Sequence, residues 1–137
     1  MYTFDEIGQM LDNIAAGIPE ELFKELNGGI VLLPNTRMHP ASSRRQGLYV
    51  LGEYHNDRTG YGGLGRYIAI YYGSFVRAYE GLTATEMQEK LRETLLHEFT
   101  HHLESLAGER GLEIKDQKDI ERYIQGVSSP DSFDIDD

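Results

Sequence analysis

The first hydrophobic pattern along the chain is helical, with Phe4, Ile7, Leu11 and Ile14 recurring at three- and four-residue intervals up to Gly17. Thr3 and Glu6 stand in the S/T-x-x-E relation, in which each side chain satisfies a backbone amide of the other, so a helix is predicted to start there. Pro19 opens a second, short helical stretch with Leu22, Phe23 and Leu26 apolar, and Asn27-Gly28-Gly29 ends it. A strand is predicted over Ile30 to Leu33. Pro34 to Gln46 is polar, with two prolines and three arginines, and reads as an exposed loop. Two runs rich in Tyr, Ile and Val follow, Leu48 to His55 and Arg66 to Phe75. They predict a hairpin with a long glycine-laden tip.

A second capping box, Thr83 and Glu86, opens a segment without Pro or Gly that runs to Ala107, where Gly108 is placed as C-cap. On a wheel of about 100° per residue with Met87 as origin, Met87, Leu91, Leu95, Leu96, Phe99, Leu103 and Leu106 fill an arc of about 180°. That arc is the predicted core face of the longest helix. Beyond a glycine-punctuated turn, Asp116 can cap a last helix to about Gln125, with Ile120 and Ile124 apolar. The closing SSPDSFDIDD carries four aspartates and reads as a frayed acidic tail. The expected organisation is one domain over residues 1–126 and a tail over 127–137, since 137 residues hold one core and not two.

Composition narrows the function classes. The chain is 39% hydrophobic and 26% charged, as folded domains are. Its 13 Lys plus Arg against 23 Asp plus Glu give a formal charge of -10, which repels phosphate backbones and anionic lipid, so neither nucleic acid nor membrane is expected as a partner. Cysteine is absent, which excludes disulfides, thiolate metal sites and thiol nucleophiles. MYTFDEIGQM has acids where a secretory signal needs basic residues, and no apolar run reaches membrane-spanning length, so the cytoplasm is the expected compartment. Gly60-Tyr61-Gly62-Gly63-Leu64-Gly65 formally matches G-x-G-x-x-G. That pattern holds pyrophosphate only where a helix follows it, and a β-like run follows here, so no cofactor site is assigned.

The chemistry lies in the long helix, in His97-Glu98-Phe99-Thr100-His101. Residues four apart are stacked one turn above another, so two imidazoles can converge on one ion at the Zn–N distance of about 2.0–2.1 Å. Both fall outside the apolar arc, at about 280° and about 320° on the same wheel, and face a cleft or solvent. Glu98, about 100° from His97, is then a base near the metal-activated water rather than a ligand. The expected reaction is hydrolysis of a peptide bond with zinc as cofactor and Glu98 as general base. A carboxylate-bridged di-iron site would need a second E-x-x-H copy, which is missing; a mononuclear iron site of two histidines and a carboxylate stays open.

With these residues in hand, the sequence resembles the small zinc metallopeptidases of minimal zincin, or minimal gluzincin, fold. The resemblance runs from about Thr3 to Gly126 through Ile18-Pro19-Glu20-Glu21, the strand Ile30 to Leu33, the run Leu48 to Tyr54, the strand Tyr67 to Phe75, and Thr94 to His102. It implies an α+β, zincin-like fold in which a small sheet packs against the metal-bearing helix, zinc as the ion, and a peptide or protein as substrate. Shorter members resemble H-E-x-x-H-x-x-G-x-x-D, whereas this chain has Glu104 at the glycine position and Ala107 at the acid position. The metal set is therefore His97, His101 and a third ligand; Asp116 or Glu113 can swing back after the turn, which closes the coordination more easily than a helical approach, and Asp116 is preferred, with Glu113 and Glu104 as alternatives. Glu104, on the histidine face at about 260°, suits an outer position that orients a ligand.

The resemblance also implies a strand edge for an extended substrate, placed at Tyr67 to Tyr72, and an oxyanion-stabilising group among Tyr61, Arg66 and Tyr71. His102, at about 60° and so on the apolar side, is expected to be a buried hydrogen-bonded histidine. His39 and His55 are assigned no role. The alternative function is a zincin-scaffold domain that binds metal or a partner without efficient catalysis, which the missing G-x-x-D acid favours.

Overall fold

The computed structural model describes residues 1–40, 48–56 and 65–110, with side chains to Gly108. The predicted last helix from Asp116, the acidic tail and the hairpin tip at 57–64 lie outside these residues. Helix α1 spans Phe4–Ala16, and the predicted capping box is formed in both directions between Thr3 and Glu6. Ile7, Leu11 and Ile14 are its buried face. The stretch after Pro19 is a single 3-10 turn, Glu20–Phe23, which buries Leu22.

Three strands follow: β1 (Gly29–Leu33), β2 (Gly52–Asn56) and β3 (Arg66–Tyr71). The sheet order is β1-β3-β2, with β1 parallel and β2 antiparallel to β3. The β2–β3 hairpin is thus present, in the register Gly52↔Ile70 to Asn56↔Arg66. Helices α2 (Tyr72–Ala78) and α3 (Ala84–Arg110) complete the described chain. This is an α+β fold with a small sheet against a long helix.

The structure corrects four expectations. The run Arg66 to Phe75 is strand only to Tyr71 and then turns into α2, because Gly73 lies against the chain after β1 and donates its N–H to the Asn35 carbonyl. A Cβ there would meet Asn35 O and Thr36 N at 2.8 Å, so the Gly-Ser pair is a break and not a strand interior. The run Leu48 to His55 is regular strand only from Gly52; Leu48 and Val50 instead bond to His39 and Arg37 of the preceding loop. Gly108 is not a C-cap, since α3 continues to Arg110 and this glycine has no left-handed φ. Finally, Tyr67 to Tyr72 offers no edge, because β3 is the central strand.

Alternation along β3 splits the core in two. Ile68 and Ile70 face α1 and α3 and join the main cluster with Ile7, Leu11, Leu91, Leu95, Leu96 and Phe99. Ala69 and Tyr71 face the other side with Val50, Val31 and Leu33. Every residue of the predicted apolar arc on α3, from Met87 to Leu106, is buried. Truncating one of them, such as Leu95 to Ala, would cost about 2–5 kcal/mol by lost burial and cavity formation.

Candidate metal centre on the long helix

The second capping box is also formed: Glu86 N–H donates to Thr83 Oγ1 at 3.2 Å, and Glu86 Oε1 accepts from Thr83 N–H at 2.9 Å. The apolar arc fixes the rotation of α3 against the sheet, and this rotation decides where its histidines point. His97 and His101, off the arc, are half-buried at the surface of the core. Their Nε2 atoms face each other at 3.2 Å, with ring centroids 4.8 Å apart and planes at 88°. Two nitrogens each about 2.0–2.1 Å from a tetrahedral ion stand about 3.3 Å apart, so the pair is already at ligand spacing.

Glu98, one step round the helix toward the core, is fully buried, and both carboxylate oxygens are out of reach of solvent. Low-dielectric surroundings strengthen its interaction with any nearby cation or proton donor. Glu104 Oε1 lies 3.3 Å from His101 Nδ1, the ring nitrogen turned away from His97. A carboxylate on the far nitrogen is the usual way of fixing a ligand imidazole's orientation. Among the described residues no cluster of three His, Cys, Asp or Glu side chains that could hold a metal is formed, so Glu104 is not brought into a three-ligand set. Asp116 and Glu113 lie outside the described residues.

The next turn locks the helix to the rest of the fold. His102, fully buried as expected, sits 2.7 Å from the Lys24 carbonyl through Nε2 and 2.8 Å from the Tyr54 hydroxyl through Nδ1. A carbonyl only accepts, so Nε2 carries the proton and Nδ1 accepts from Tyr54. Burial pushes the His102 pKa down, against a smaller upward pull from the Lys24 carbonyl. Asn56 Nδ2 also donates to Ser105 Oγ at 3.2 Å. Strand β2 is therefore fastened along the histidine-bearing helix. Sequence spacing gave no sign of the Tyr54–His102 contact, which joins residues 48 positions apart.

The candidates for oxyanion stabilisation are dispersed. Tyr71 belongs to the sheet face turned away from α3, where its hydroxyl donates to Glu53 Oε1 at 2.5 Å and lies 3.1 Å from Arg37 Nη1. Burial, then the Glu53 bond, pushes its pKa up to about 12. Arg66 is nearly buried, with Nη1 3.9 Å from Glu25 Oε1. Tyr61 lies outside the described residues. Gly65, last of the glycine-rich run, leads into β3, so no helix N-terminus follows it.

A helix presenting an H-E-x-x-H pair beside a small mixed sheet defines a zincin-like metallopeptidase domain. The zincin-like metallopeptidase family model matches residues 34–122, and the chain belongs to that family. A solved structure, described as a conserved hypothetical protein from T. thermophilus, is similar to it with 33% sequence identity and a TM-score of 0.63. The match covers 77% of this chain and 98% of that one. Among curated proteins, none matches.

Proposed function

We propose that this chain is a zinc-dependent peptidase in which His97 and His101 hold the metal and Glu98 is the general base. The observation that carries the reading is the 3.2 Å approach of the two Nε2 atoms on one face of α3. Two imidazoles suit zinc by donor type as well as by spacing. Asp116 is the proposed third ligand. When bound, zinc polarises the scissile carbonyl and lowers the pKa of water to about 7. Glu98, covered in the described chain, has to turn out of the core toward the facing Nε2 atoms; there it takes the proton of the attacking water and passes it to the departing amine, which leaves neutral. Glu104 keeps the His101 ring turned so that Nε2 points to the site.

An extended peptide substrate would lie along β2 rather than β3. Strand β2 ends the sheet order and is tied at Tyr54 and Asn56 to α3, the helix that carries the histidine pair. The competing reading, a scaffold that binds metal or a partner without turnover, draws on the absence of a three-ligand cluster among the described residues.

Zinc content and digestion of a peptide library separate the two. Wild type is expected to hold zinc and cleave; Glu98→Gln is expected to hold zinc equally and lose about 10²–10⁴-fold in rate, the usual worth of a general base. His97→Ala and Asp116→Asn are expected to lose both. If wild type and Glu98→Gln both hold zinc and cleave equally little, the chain is a binding domain.

A further inference from the structure

The other edge of the sheet carries a second surface, unrelated to the histidine site. Strand β1 is paired with β3 on one side, and among the described residues no strand takes its other side. An open groove of about 450 Å³ lies between β1 and α1. Ile30 and Leu32 form one wall, and Phe4, 39% exposed and among the described residues one of few large apolar side chains left in water, lies at the groove from α1. Asp5 and Asp12 line it from α1 as well, and both are exposed. Among the described residues no lysine or arginine lines it.

Gly8 adds an independent sign. It lies in the interior of α1, where glycine is unfavourable by about 1 kcal/mol relative to alanine. Its φ is not left-handed, and a Cβ there would meet only Leu32 Cδ2, at an ordinary 3.7 Å. The fold does not require this glycine. Its effect is to leave the groove open to the close approach of another backbone.

We propose that the β1 edge and the groove beside it dock an extended segment of another polypeptide in which apolar residues alternate with lysine or arginine. Added to β1 as a fourth strand, such a segment pairs its backbone with the open edge groups. Alternate residues then face opposite sides of the sheet. The apolar set extends the Val31 and Leu33 face, which is half-buried. The basic set faces α1, its alkyl stems along Ile30, Leu32 and Phe4 and its charged ends at Asp5 and Asp12. The chain's net charge of -10 favours the same sign of partner.

The test uses the full chain and two fluorescent dodecapeptides, (Val-Lys)6 and (Val-Glu)6, read by anisotropy and by amide hydrogen exchange. Saturable binding of (Val-Lys)6 alone is expected, with new exchange protection confined to residues 29–33. The Asp5→Asn/Asp12→Asn double variant should weaken it about five- to tenfold, the scale of two exposed ion pairs. Gly8→Leu, which fills the groove, should remove it. The proposal is overturned by no saturable binding at millimolar peptide, by binding that both variants leave intact, or by protection at 52–56 instead. Sedimentation showing a dimer protected at 29–33 without peptide would make a second copy the occupant and overturn it too. Loss of zinc or of hydrolysis in His97→Ala leaves all these readouts unchanged.

Discussion

Tyr71 closes β3 on the sheet face opposite the histidines, and its surroundings set a pH response that belongs to the fold alone. The hydroxyl donates to Glu53, whose carboxylate also takes a 2.6 Å bond from Arg37 and lies 3.4 Å from His55 Nε2. With the folded pKa raised from 10.0 to about 12, the folded chain keeps this proton where the unfolded chain has lost it. The resulting stability is fully present below pH 10 and is lost as pH rises toward 12. Urea unfolding between those limits should show a falling midpoint in wild type and a flatter one in Tyr71→Phe. On the other face, Tyr54→Phe leaves His102 Nδ1 buried without its donor and is expected to cost about 1–3 kcal/mol in the same measurement.

Elements were legible in the sequence where the signal was local. Both capping boxes and the apolar faces of α1 and α3 follow from spacing within one or two turns, and the structure reproduces them except at Phe4, which stays exposed at the first turn of α1. What was not legible depends on contacts far along the chain. The strand-to-helix switch at Tyr72 is set by Gly73 meeting Asn35 and Thr36, and the central place of β3 is set by β1 pairing across more than thirty intervening residues. The candidate site divides in the same way. The mutual approach of His97 and His101 follows from one helical turn, whereas Tyr54 beneath His102 comes from a different element. Two glycines test the distinction. Gly73→Ala should destabilise by about 1–3 kcal/mol, because backbone atoms would have to give way. Gly108→Ala, in open space on a helical backbone, should stabilise by about 0.5–1 kcal/mol. Thermal melts of the pair should therefore move in opposite directions; a like-signed pair would contradict the packing described at Gly73.

At the scale of the whole molecule the core and the histidine pair are separable, and this has a measurable consequence. The main cluster is closed by aliphatic and aromatic side chains from α1, the sheet and α3, while His97 and His101 stand outside it. The apolar face of α3 is buried in this cluster, and no helix among the described residues is long and apolar enough to cross a membrane. The metal-free chain should consequently fold, unlike small zinc modules whose folding free energy is the binding free energy. A metal that binds only the folded state adds RT ln(1 + [L]/Kd), about 2.7 kcal/mol when free zinc is a hundredfold above Kd. For a domain of this size that is a rise in Tm of roughly 10 °C. His97→Ala should leave the metal-free Tm within the range of a neutral surface change, about 0.5 kcal/mol, and abolish the zinc-dependent rise. Calorimetry with and without a chelator measures both quantities at once. Unfolding of wild type on chelation would mean that the cluster around Phe99 and Leu95 does not suffice to hold α3 in place. A zinc-dependent rise that survives His97→Ala would move the ion away from the facing Nε2 atoms, and with it the role proposed for Glu98.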